Sequence, residues 1–199
     1  MFWDSILSIG RAIVDFVEKL TVEEVKVFVK AVVELGKELG ILDKDTDIIE
    51  LGDKAIQAEH QGKNLEDYDS SAEFVASLDD VETDDVESEK ISDEDKLTKG
   101  AELVAQLIAE KYDGFDVEKY AECQADNPEY FTPERIREFG KLIKEDCEIV
   151  NDIVDYINGS EVNIEKRIKD EEVLVGIEKA IDSSISDGEA LQKVREAFQ

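Results

Sequence analysis

Much of what usually gives a protein away is scarce in this 199-residue chain, which has two cysteines, two prolines, one histidine, one tryptophan and one methionine. Cys123 and Cys147 lie far apart with no histidine near them, so neither a C-x-x-C zinc site nor a disulfide framework is indicated. Any Ser-His-Asp triad would have to run through the lone His60, and no nucleophile-elbow motif accompanies it. Phosphate-binding and dinucleotide-binding glycine patterns are missing too. Long apolar runs are also lacking. Nothing approaches the ~18 uninterrupted apolar residues that span a bilayer. The first twenty residues have no basic leader, and Asp4, Arg11, Asp15 and Glu18 break up their apolar character, so they do not read as a signal peptide. The expectation is a cytoplasmic protein with no catalytic residues, no cofactor and no metal.

Basic residues are the other shortage. Against 52 Asp and Glu stand 23 Lys and Arg, a net charge of −29. Such a field repels DNA, RNA and an anionic membrane surface and attracts basic proteins. Direct nucleic-acid binding and membrane binding are therefore not expected, and a basic protein partner is. Salt adaptation would explain acidity differently, but adapted surfaces shed lysine, and this chain keeps 18 Lys to 5 Arg.

What is present is an ordinary globular allowance of apolar residues, 42%, with 38% charged. At this length the chain can build one large core or two small ones. Apolar residues at spacings of three and four predict an all-α fold. Residues 2–20 carry Phe2, Ile6, Ile9, Ile13, Phe16 and Leu20 on one stripe. Thr21 and Glu24 form a capping box that starts a second helix, ended by Gly40. These two apolar faces predict an antiparallel helical hairpin. Asp47 caps a third helix that stops at Gly62, and a short fourth follows Asp69.

Ser92 with Asp95 marks the next start, and Gly114 its end. Asp116 caps a short helix, and Thr132-Pro133 opens a run to Asn158-Gly159, one long helix or two nearly collinear ones. Residues 163–182 are helical with a phase slip near Lys169–Glu171. Ser186 and Glu189 cap the last helix. The predicted organisation is two small helical lobes, 1–78 and 96–199, joined by an acidic linker, 79–95.

That linker holds ten carboxylates against one lysine in seventeen residues, nearly a third of the net charge. Val81, Val86 and Ile91 recur in it every five residues, fitting neither helix nor strand, so an irregular segment is expected. Charge runs of this kind are usually solvated spacers. As a ligand it would offer Asp84, Asp85 and Glu87 to a basic groove. A second candidate surface is Glu145, Glu148, Asp152 and Asp155, which fall on one face if their helix is continuous. In spacing alone, the pairs Glu145-x-x-Glu148 and Asp152-x-x-Asp155 resemble those with which all-α nucleotide pyrophosphatases hold Mg²⁺, although here both share one helix. A solvated face opposite the apolar stripe is the plainer alternative. Asp43, Asp45 and Asp47 imitate the start of a calcium loop, which fails at Ile48 and Lys54, where glycine and glutamate are required.

These observations favour a non-enzymatic interaction protein that binds a basic partner, of the inhibitor, immunity-protein or nucleic-acid-mimic kind. The alternatives are a helical adaptor that docks through residues 1–20 and a carboxylate-Mg²⁺ hydrolase of phosphorylated small molecules.

Overall fold

The computed structural model describes residues 2–198, and the side chain of Phe2, assigned above to the first stripe, lies outside what is described. The fold is all-α as the periodicity requires, with no strand among the described residues. The helices are α1 (Phe2–Val17), α2 (Val22–Glu38), α3 (Ile48–His60), α4 (Ser71–Ser77), α5 (Asp85–Ser88), α6 (Asp93–Lys111), α7 (Val117–Asp126), α8 (Pro133–Glu145), α9 (Cys147–Ile157), α10 (Ile164–Ile181) and α11 (Asp187–Phe198). Their starts follow local chemistry. Thr21 and Glu24 satisfy each other's backbone groups at the head of α2. Asp47, Ser92 and Asp116 accept from the first free N–H groups of α3, α6 and α7. Gly40, Gly62, Gly114 and Gly159, the expected stops, all have positive φ, the left-handed conformation that glycine adopts without a Cβ penalty.

Two compact units form, residues 1–113 and 114–199. The boundary differs from the expected one. Residues 79–95 lie within the first unit, and α6, expected in the second lobe, is the central helix of the first. The physical reason is the composition of α6. Leu103, Val104, Ala105, Gln106, Leu107, Ile108 and Ala109 are buried in succession, so the helix is covered on every side. A helix apolar all round needs several partners, and α1, α2, α3 and α4 supply them.

Glycines set how closely those partners approach. A Cβ on Gly52 of α3 would lie 1.8 Å from the Lys96 carbonyl oxygen, and one on Gly100 of α6 would lie 2.6 Å from the Ile48 carbonyl oxygen. Gly36 of α2 and Gly10 of α1 lie against side chains of α6, Val104 and Gln106. The expected hairpin is corrected accordingly. On α1, Ile6 and Ile13 of the stripe and the neighbouring Val17 are buried, and the helix packs chiefly on α6. Its link to α2 is the ring pair Phe16–Phe28, 4.8 Å apart.

The second unit is built on α7–α11. Tyr120, Phe131 and Phe139 form an aromatic cluster with centroids 5.2–5.9 Å apart, and Ile143, Val150, Ile153, Val154, Leu174 and Val194 complete the core. Glu178, 2% exposed, receives a two-pronged bond from Arg135, Nε to Oε1 at 2.6 Å and Nη2 to Oε2 at 2.8 Å. The same guanidinium donates to the Tyr130 carbonyl and lies over the Tyr130 ring, 4.5 Å from its centre. A fork of this shape satisfies a buried carboxylate and joins α8 to α10.

Candidate functional site

The acidic stretch is not the irregular spacer its spacing predicts. Leu78 and Val81 are buried at its start, and Asp85–Ser88 form the one-turn helix α5. Its last residues, Asp93, Glu94 and Asp95, are the first turn of α6, where carboxylates favour the positive end of the helix dipole. Between these points the backbone is held by side chains of α3. The buried carboxamide of Gln57 accepts from the Asp84 N–H at 2.7 Å and donates to the Asp84 carbonyl at 3.5 Å. Gln61 donates to the Glu82 carbonyl at 3.2 Å. The Ser88 hydroxyl donates to Asp53 Oδ2 at 2.6 Å and receives a bond from the buried Lys96 Nζ at 2.9 Å. Lys96 is also 3.8 Å from Asp53 Oδ1, and that oxygen accepts from Gln57 at 3.1 Å.

The ten carboxylates point the other way, and every one of these residues is exposed: Asp79, Asp80, Glu82, Asp84, Asp85, Glu87, Glu89, Asp93, Glu94 and Asp95. Asp84 uses Oδ1 to cap α5, accepting from the N–H groups of Val86 at 2.8 Å and Glu87 at 3.3 Å. Glu87 is paired with Lys90. Val86 stands out of the acidic field, 63% exposed. The first unit carries 30 acidic and 12 basic residues, a net −18, and the second 22 and 11, a net −11.

The second candidate surface is not a four-carboxylate stripe. The run from Pro133 breaks at Asp146, whose backbone is extended (φ −160°, ψ 100°) and whose side chain accepts from the Glu148 N–H at 3.1 Å to start α9. Glu145 therefore ends α8, while Glu148, Asp152 and Asp155 belong to α9. Two of the four are engaged by lysines of their own unit, Asp155 by Lys119 at 3.0 Å and Asp152 by Lys166 at 2.7 Å. Lys166 also holds Glu161 at 3.0 Å. Asp84, Asp85 and Glu87 thus share one unit and the stripe residues lie in the other. Among the described residues no group of three or more His, Cys, Asp or Glu is placed to hold a metal ion. Asp47, the third acid of the calcium-loop imitation, gives its Oδ1 to the N–H groups of Ile49 and Glu50.

No protein-family model, no curated protein and no solved structure matches this chain. Its candidate site therefore stands on geometry alone. Of the other reactive groups, His60 is exposed at the end of α3 and Cys147 is half-buried at the start of α9. Cys123 is fully buried, and burial pushes its thiol up to about 12, far from the thiolate that nucleophilic chemistry needs. No helix among the described residues is long and apolar enough to cross a membrane. The helix considered above as a docking element, α1, has Ile6, Ile13 and Val17 already buried within the first unit.

Proposed function

We propose that this chain is a non-enzymatic acidic interaction protein whose first unit presents residues 79–95 to a basic protein, in the manner of an inhibitor, immunity protein or nucleic-acid mimic. One observation carries this reading: the carboxylates are exposed while the backbone beneath them is held by Gln57 and Gln61 and the Ser88 hydroxyl by Asp53 and Lys96. A free acidic tail loses about 1–2 kcal/mol of backbone freedom for each residue that a partner orders. A segment already held by its own fold avoids much of that cost on binding. Fixed spacing also lets carboxylates replace phosphates in a groove lined by lysine and arginine, where a flexible run gives only diffuse attraction. The −18 of the unit around it speeds the encounter and makes it sensitive to salt. Asp85, Glu87 and the exposed Val86 form the centre of this face, with Asp84 setting its turn.

The test is a comparative pull-down at low salt with the natural chain and a variant carrying Glu82→Gln, Asp85→Asn, Glu87→Gln and Glu89→Gln. A basic protein kept by the first and lost by the second is the expected result. Recovery of no basic protein, or equal recovery by both chains, refutes the assignment.

A further inference from the structure

The corner where α9 turns into α10 has more carboxylates than the lysines there satisfy. Asp152 and Asp155 come from α9, Glu161 from the connecting loop, and Asp170 from the second turn of α10. Lys166 gives its bonds to Asp152 and Glu161, and Lys119 of α7 goes to Asp155. Asp170 receives neither. It is 5% exposed, and its Oδ2 is buried with no hydrogen-bond partner. Its position explains the burial. Asp170 sits four residues before Leu174 and seven before Ile177, on the stripe that faces the core.

A buried carboxylate without a partner is costly as an anion and much less so as a neutral acid. The groups acting on Asp170 are Asp152 and Asp155 from α9, Glu161 from the loop and Lys166 from its own helix, three like charges against one opposite. The other helices packed on α10 send their charges elsewhere along it, Arg135 of α8 to Glu178 and Arg195 of α11 to Glu171.

We propose that Asp170 is a proton-binding site through which mild acid fastens the α9–α10 corner and rising pH loosens it. Burial first, then the charge of Asp152, raises its carboxyl from the ordinary 3.8 to about 6. The folded chain thus holds this proton more tightly than the unfolded chain does. The resulting stabilisation is complete below about pH 4 and is lost as pH rises through about 6. Bound, the proton removes the charge from a buried carboxyl whose Oδ2 has no hydrogen-bond partner. Released, it leaves an unpaired buried charge at the joint between two helices.

The experiment is a carboxyl-detected NMR titration of the full-length chain, with unfolding midpoints measured from pH 4 to 7. Asp170 should titrate near pH 6 and not at the ordinary 3.8, and Lys166→Met should raise its midpoint further by removing the one favourable cation. Asp170→Asn cannot ionise, so the loss of stability between pH 4 and 7 should be smaller in it than in the natural chain. That comparison separates this carboxyl from the general self-repulsion of so acidic a protein. An Asp170 midpoint below pH 4.5, or an unchanged pH dependence in Asp170→Asn, overturns the proposal. If that variant fails to fold, the titration of the natural chain still decides.

Discussion

Gln57 of α3 holds Asp84 by both of its backbone polar groups, accepting from the N–H at 2.7 Å and donating to the carbonyl at 3.5 Å. One amide side chain thus does for the acidic segment what a neighbouring strand would do, and it reaches across 27 residues of sequence to do so. Asn151 makes the same kind of clamp in the second unit, accepting from the Asp116 N–H and donating to the Gly114 carbonyl.

Gln57→Leu keeps the volume and removes the clamp. Each neutral hydrogen bond lost costs about 0.5–1.5 kcal/mol, so losing both should cost the first unit about 1–3 kcal/mol. The sharper effect is local. Amide exchange should accelerate across 82–90 while residues 103–109 of α6 stay protected. Measured by mass spectrometry, unchanged exchange at 82–90 would show that the segment is held by something other than Gln57.

Gly52 is a position where a single methyl group should disable the first unit. Its Cβ would fall 1.8 Å from a backbone oxygen of α6, which has no flexible end to move aside. Gly52→Ala is expected to cost more than ~2 kcal/mol through forced separation of α3 from α6, despite alanine's better helix propensity. Gly176, exposed in α10 with no atom within 4 Å of its Cβ position, is the control. Gly176→Ala should stabilise by about 0.5–1 kcal/mol. Urea unfolding of each variant checks both signs. For the first unit the emission of Trp3, the chain's only tryptophan, is a convenient probe.

Arg135 and Glu178 are predicted to behave as one element. Removing the guanidinium alone with Arg135→Met leaves a carboxylate at 2% exposure without its partner, which typically costs about 3–5 kcal/mol. The double variant Arg135→Met, Glu178→Met removes the stranded charge as well and should recover most of that loss. Thermal unfolding followed by circular dichroism gives the three midpoints. A double variant no better than the single one would mean that the fork's contacts with Tyr130, and not the charge, hold the joint.

The caps were legible in the sequence because capping is local chemistry. Thr21 with Glu24, Ser92 with Asp95, and Ser186 with Glu189 lie within four residues of the groups they satisfy. The unit boundary was not legible. Periodicity shows that α6 has apolar faces but not which helices cover them, and that choice depends on Gly10, Gly36 and Gly52, all far off in the chain. The break at Asp146 was hidden because the apolar spacing from Ile143 through Cys147 to Val150 runs unbroken across it. Asp170 did leave a signal, an acid on the stripe of Leu174 and Ile177, which the phase slip near 169–171 obscured. Nothing local marked Gln57, whose partner was visible only as part of a charge run.

The acidic face makes a prediction about stability as well as binding. Its exposed carboxylates repel one another, and the bonds that hold the segment run through Gln57, Gln61, Asp53, Ser88 and Lys96. Neutralising Glu82, Asp85, Glu87 and Glu89 removes repulsion and one exposed pair with Lys90, a pair of the kind that contributes about 0–1 kcal/mol. The quadruple variant should therefore unfold at the same urea concentration as the natural chain or slightly above it. Added salt should raise the natural chain's midpoint more than the variant's, since screening relieves only charge that is present. Asp53→Ala behaves oppositely, because it leaves the buried Lys96 ammonium without its anion, and it should lower the midpoint at every salt concentration. If the quadruple variant instead falls by as much as Asp53→Ala, those four carboxylates are part of the scaffold and not a surface held out for a partner.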